Sequence, residues 1–264
     1  HRGGLPLIRD LAPAAADLAD EDGLVRRLRR LPPQWPAGQV SAYHAISYSY
    51  ALQAVCVDLG TDLAYEVRKL VLQTAGIADE ELYLGGISSG EPPERRPSIV
   101  LGQSKLRWKQ DGTALYHRSC YEIRDLIAVL NDWPTNRCAP LSCGVSGTAL
   151  ALAKFYAAVI SSSDGGPFAP ETYAAISDRP SQSMDRLLYQ RVRWRCGFLE
   201  GAGLALEESG DGVIGMAGYG GSIGLCDLQS GVAMAVVTDQ VDAGSVVGDA
   251  ARVISQEVLD AATR

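Results

Sequence analysis

The residues best placed to do chemistry lie between Gly215 and Asp227, where Gly215, Gly218, Gly220, Gly221 and Gly224 put five glycines into ten positions. Such a run suits a loop that wraps a phosphate, but no Gly-Lys-Ser or Gly-Lys-Thr follows it, and no strand–loop–helix pattern surrounds it. Two readings remain open. The glycines form the edge strand of a sheet, open to close backbone approach by a ligand, or they merely ease sheet packing. The three histidines, at 1, 44 and 117, lie far from one another in sequence, and no second His or acid sits near any of them at metal spacing. His44 and His117 therefore read as packing or surface residues. The six cysteines, at 56, 120, 138, 143, 196 and 226, contain no Cys-x-x-Cys pair. They read as buried free thiols of a reducing compartment, with one or two disulfides as the alternative. No metal site and no cofactor are expected.

The elements that must position these residues follow from composition and periodicity. The chain has 264 residues, 47% hydrophobic and 21% charged, with a formal charge of −7. That composition excludes disorder, collagen and coiled coil, and the acidic balance gives no electrostatic reason to expect nucleic acid. The basic cluster of Arg26, Arg27, Arg29 and Arg30 follows Asp20, Glu21 and Asp22, the charge order of a solvated helix. No apolar run approaches the roughly 18–20 residues that span a bilayer. The chain opens on His1 without a charged-plus-apolar leader, so the reading expects something upstream to have been cleaved, lost or never recorded.

Helical spacing covers 24–31, 41–59, 63–75, 123–130, 148–160 and 170–176, with Pro32-Pro33 stopping the first and Gly60 closing the second. Segment 81–86 reads as a short strand, and 88–97, rich in Pro, Gly and charge, as a surface loop. The last third changes to short β-rich runs at 193–200, 212–215, 221–227 and 231–239, an antiparallel meander. A terminal helix over 244–262 should lie across one face of that sheet. The fold class is α+β in a single domain, helical over about 6–190, then sheet and closing helix over about 191–264.

Four blocks and a short loop segment, in order, resemble the serine β-lactamase and penicillin-binding-protein superfamily, in its class-C-like esterase branch. His1-Arg2-Gly3-Gly4-Leu5-Pro6 is similar to the segment that follows the nucleophile helix in such enzymes. Trp35-Pro36-Ala37-Gly38 through Tyr43-His44-Ala45-Ile46-Ser47-Tyr48 resembles the W-x-P-G…Y-H-x-x-x-Y block. Glu81-Leu82-Tyr83-Leu84-Gly85 resembles the E-L-Y-x-G segment. Ala139 through Ala158 is similar to the "P-S-x-G…A-L-A-R-F-Y-A-A-L" helix, and Gly215–Asp227 to the "G-H-x-G-x-G-G-S-x-G-x-x-D" strand pair. The resemblance implies a β-lactamase/transpeptidase-like fold, here incomplete at its N-terminus, and acyl transfer by a Ser-x-x-Lys helix. It places Tyr43 at the general base or acid, and Met216, Gly218, Tyr219 and Gly220 on the substrate strand, with the Tyr219 N–H as oxyanion donor.

The departures from that pattern set the functional expectation. The residues three before Lys69, Lys105, Lys109 and Lys154 are Glu66, Gly102, Leu106 and Ala151, so no Ser-x-x-Lys exists within the 264 residues. Met216 stands where the family has His or Lys, and a thioether carries neither proton nor positive charge. The leading expectation is a catalytically inactive accessory or structural subunit of a larger assembly, partnered by other protein subunits and keeping Tyr43 only as a vestige. The alternative is a serine ester or amide hydrolase whose Ser-x-x-Lys lies upstream, and a third reading is a binding module for a small ester, lactam or peptide. The thiols favour an intracellular setting, and the resemblance extends that to a mitochondrion or plastid.

Overall fold

The structure, a computed structural model, describes residues 1–85, 98–102, 114–132, 140–178, 181–201, 211–218, 220–241 and 249–262. The helical region holds α1 (Ile8–Leu11), α2 (Glu21–Leu28), α3 (Ser47–Asp58) and α4 (Leu63–Val67), the last running on into a π-turn over Arg68–Leu72. Two-residue strands β1 (Leu82–Tyr83) and β2 (Val100–Leu101) precede α5 (Ala114–Ser119) and α6 (Ile123–Asn131). β3 (Ser146–Gly147) pairs with β1 and leads into α7 (Ala149–Ser161), followed by α8 (Pro170–Ser177). The main sheet runs β4 (Ser181–Met184), β5 (Arg191–Arg195), β6 (Phe198–Glu200), β7 (Val213–Ala217), β8 (Ile223–Asp227) and β9 (Val232–Val236), antiparallel in chain order. β10 (Gln240–Val241) pairs with β2, and α9 (Asp249–Ala262) follows.

Local chemistry explains where these elements begin. The Asp20 carboxylate accepts from the Gly23 N–H at 3.0 Å at the start of α2, Asp62 from Tyr65 at the start of α4, and the Thr148 hydroxyl from Ala151 at the start of α7. Leu24, Leu28, Ile46 and Tyr50 then fuse α1–α3 into one apolar cluster, in which the buried Tyr50 hydroxyl donates to the Leu18 carbonyl. On one face of the sheet Ala251 and Leu259 of α9 pack against Val213, Ala217, Ile223 and Leu225. On the other, Tyr156 and Val159 of α7 pack against Ile214 and Cys226. Helix, sheet, helix: α+β, as the order of elements implied. The sheet starts earlier than expected, at Ser181 rather than near 191. The run 193–200 is also two strands, folded back at Cys196 and Gly197, whose φ angles are +44° and +98°. The 88–97 loop and the segments 133–139 and 242–248 lie outside the described residues.

The glycine-rich strand is not at an edge. β7 pairs with β8 along its length and with β6 at Ile214 and Gly215, which places Gly215 and Gly224 inside the sheet and corrects the edge-strand expectation there, while Met216 and Ala217 have no β6 partner among the described residues. A Cβ on Gly215 would sit 2.3 Å from the Gly224 carbonyl oxygen on β8, and one on Gly224 would sit 2.4 Å from the Tyr156 ring. These glycines let two strands and α7 close on one another. Gly215→Ala is expected to lower unfolding stability by about 3 kcal/mol, because backbone cannot yield as a flexible side chain does. Urea unfolding checks this, and an unchanged midpoint would contradict it.

Candidate active site

Tyr43 lies between Ser41, which bridges to Asp185, and the start of α3. Its position is set from the far side of the chain. Asp185, fully buried, accepts from the Tyr43 N–H at 3.1 Å, the Ser41 hydroxyl at 3.1 Å, and the Leu187 and Leu188 N–H groups at 2.9 and 3.0 Å. Four donors satisfy one buried carboxylate, and two of them lie in the segment that carries Tyr43. The Arg186 N–H donates to the Ser41 carbonyl at 2.9 Å, closing the bridge.

The Tyr43 ring stacks on Trp194 of β5 at 5.9 Å, and the His1 ring wedges against both, 4.9 Å from Tyr43 and 4.3 Å from Trp194. Val192, Trp194 and Leu199 are the buried centre of this cluster, and Tyr43, Leu188 and Met216 pack against it. Two of the residues singled out in the sequence, Tyr43 and Met216, 173 positions apart, are thereby brought to one cluster. β6 pairs with β7 only at Ile214 and Gly215, so Met216 and Ala217 extend past the end of β6. The Gly218 N–H is committed to the Ser222 carbonyl at 2.7 Å. Gly220, at φ +106°, lies against Val241, where a Cβ would fall 2.5 Å from the valine side chain. It is a packing position as well as a turn. Tyr219 lies outside the described residues. The Trp194 indole N–H is buried and has no hydrogen-bond partner among the described residues.

Electrostatics at Tyr43 run one way. Burial holds its phenol above the usual range, and Tyr48, Cys120, Cys143 and Asp185 all push in the same direction. The Met216 thioether, which carries no charge, opposes none of them. Burial likewise pushes the Cys120 and Cys143 thiols up to about 12, so neither is a thiolate at neutral pH. Cys56, Cys120, Cys143, Cys196 and Cys226 are free thiols, Cys196 exposed, and Cys138 lies outside the described residues. Among the described residues no group of three His, Cys, Asp or Glu side chains could hold a metal ion. Among them, too, no helix is long and apolar enough to cross a membrane.

His44 is structural. Its Nε2 accepts from the Leu5 N–H at 2.9 Å, its Nδ1 faces the Ala42 carbonyl, and its own N–H donates to His1 Nδ1 at 3.1 Å. With the Ser47 hydroxyl donating to the Leu5 carbonyl at 2.7 Å, these bonds fasten residues 1–5 to the Tyr43 segment. Burial pulls the His44 pKa down to about 4. The unfolded imidazole takes up its proton near 6.5 and the folded one does so only near 4, so acid favours unfolding across that window. We expect His44 to cost the fold about 3 kcal/mol as pH falls from 7 to 4. Glu21 works in the opposite sense. Burial, then Asp62 and Asp22, push it up to about 7, so its contribution is present in acid and lost as pH rises through 7. Urea unfolding of the native protein and His44→Gln at each pH isolates the histidine. A step of equal size in both would refute its assignment.

Two sequence blocks 73 residues apart meet through one ion pair, in which Lys154 of α7 donates to both oxygens of Glu81 at 2.6 and 2.8 Å. The residues that sequence reasoning missed at the site are Asp185 and Trp194. Asp185 sits in a polar hairpin with no local signal, and Trp194 within a strand expected only for its β character.

The Beta-lactamase family profile matches residues 1–258. The fold is similar to that of EstA from Arthrobacter nitroguajacolicus Rue61a, with a TM-score of 0.78 at 19% identity over 100% of this chain and 70% of that one. A penicillin-binding protein homologue from Caulobacter crescentus gives 0.73 at 21%, over 99% of this chain and 69% of that one. A family VIII carboxylesterase gives 0.69 at 19%, over 98% and 70%. No curated protein matches the sequence.

Proposed function

The chain belongs to the Beta-lactamase family, and from that premise we propose that it forms the greater part of a serine ester or amide hydrolase. In this reading the Ser-x-x-Lys nucleophile precedes His1 in the full-length protein. The observation that carries the proposal is the convergence of Tyr43 and Met216 on the Val192–Trp194–Leu199 cluster, held by the Asp185 carboxylate. The family match and the esterases among its structural neighbours favour this reading over the inactive accessory subunit.

The serine hydroxyl attacks the ester carbonyl and its proton passes to the lysine–Tyr43 pair. The carbonyl oxygen becomes an oxyanion, for which the N–H after Gly218 is the proposed donor. Collapse expels the alkoxide, which takes the proton back from the pair, and water then hydrolyses the acyl-enzyme. Because its surroundings hold Tyr43 protonated, the neutral lysine amine of the pair takes the serine proton, and the Tyr43 hydroxyl donates to the departing alkoxide and is reprotonated by the lysine ammonium. The exposed apolar stripe of α3 (Tyr48, Leu52 and Val55, spaced as one helix face), continued by Leu59 just past its end, gives a preceding helix a surface to pack on next to Tyr43. The test is hydrolysis of 2-naphthyl acetate by the full-length protein. Saturable turnover supports the proposal, and none above the buffer rate overturns it.

A further inference from the structure

Tyr43 stands outside any helix or strand, so no regular ladder of backbone bonds fixes the chain there. Three consecutive N–H groups hold it instead. The Ala42 N–H donates to the His1 carbonyl at 3.0 Å, the Tyr43 N–H to the Asp185 carboxylate at 3.1 Å, and the His44 N–H to His1 Nδ1 at 3.1 Å. Ala42 and His44 are buried, so each N–H needs a partner of this kind. His1 thus grips the backbone on both sides of Tyr43, once through its carbonyl and once through its ring. That ring also lies edge-on to the Tyr43 phenol at 4.9 Å and against Trp194 at 4.3 Å, with Tyr48 and His44 at 5.7 and 5.8 Å. Accepting at Nδ1 requires that nitrogen to be unprotonated, which leaves the proton of the neutral ring on Nε2.

We propose that His1 is a positioning residue for Tyr43, acting through its Nδ1 acceptor and not through the bulk of its ring; its effect on catalysis rests on the hydrolase reading. His1 transfers no proton itself. With the Nδ1 bond made, the backbone at Tyr43 has one path, and the hydroxyl is held where the serine and lysine of that mechanism need it. Without the bond, the buried His44 N–H is stranded, the segment shifts to find another acceptor, and the hydroxyl leaves the reactive geometry.

The test compares His1→Asn with His1→Phe in the full-length protein. Asparagine puts an acceptor oxygen the same number of bonds from the backbone as Nδ1 and discards the ring, whereas phenylalanine keeps a ring and discards the acceptor. On 2-naphthyl acetate, His1→Phe should lose at least roughly tenfold in kcat with KM within about twofold of native, and His1→Asn should recover most of that loss. A residue that merely packs would give the reverse order. Residue-resolved hydrogen exchange reads the same bond without turnover. The His44 amide should exchange roughly tenfold faster in His1→Phe than in the native protein or His1→Asn, while the Ala42 amide, held by the His1 backbone, reports that the segment stays folded. This exchange pattern with no ester hydrolysed by the native protein would sustain His1 as the clamp on Tyr43 and sink the hydrolase. Native turnover with His1→Phe at the native kcat, or with both variants impaired alike, would overturn the role of His1 and leave the hydrolase standing. Neither turnover nor a difference in His44 exchange would overturn both.

Discussion

Replacing Tyr43 with Phe in the full-length protein is expected to lower ester hydrolysis by ~10²–10⁴-fold, the range that a positioned proton-transfer group contributes. The fold should survive. The substitution keeps the ring that stacks on Trp194 at 5.9 Å and the backbone N–H that Asp185 holds, and removes only the hydroxyl. The loss should appear in kcat and kcat/KM together, because the proton moves in the transition state and not on binding. Steady-state kinetics on 2-naphthyl acetate read the effect, with urea unfolding as the control for folding. A variant within threefold of the native rate would remove Tyr43 from the chemistry and leave it a packing residue.

Asp185→Ala should cost about 4 kcal/mol of stability, since it strands buried donors on Tyr43, Leu187 and Leu188 together with the Ser41 hydroxyl. Asp185→Asn is the informative partner. The amide oxygen can still accept the three N–H groups, and its NH₂ can donate to Ser41, so about 1 kcal/mol should be lost. If Asp185 positions the site, Asp185→Asn keeps most activity while Asp185→Ala loses it even under conditions where the protein stays folded. Near-UV circular dichroism of the Tyr43–Trp194 stack supplies a readout independent of turnover. Equal stability of Ala and Asn variants would contradict the account, because it would mean that the four donors find water without penalty.

How much of this was legible in the sequence differs by element, for physical reasons. α7 was plain, because Thr148 caps it and its apolar residues recur at helical spacing through Ile160. α3 was readable in its body and its Gly60 stop, but not in its start, since Tyr43 and His44 are held outside the helix by partners far away in sequence. The β5–β6 hairpin was hidden by its turn: Cys196 takes a positive φ without the Asn or Gly that marks such a position. β4, with the sequence Ser-Gln-Ser-Met, is polar and at the end of the sheet, and carries no apolar alternation. The interior place of β7 depends on strand order, which local pattern does not encode. At the site, Tyr43 and Met216 emerged only from motif resemblance. Asp185 emerged only from the fold, because its partner lies 142 residues away.

The central claim is that a serine outside these 264 residues attacks a carbonyl beside Tyr43. Its most direct test is the intact mass of the full-length protein before and after a fluorophosphonate, followed by peptide mapping of the adduct. One adduct per chain is expected, on the serine of a Ser-x-x-Lys that precedes His1, formed much more slowly in Tyr43→Phe. No adduct, or an adduct on a residue between His1 and Arg264, would contradict it.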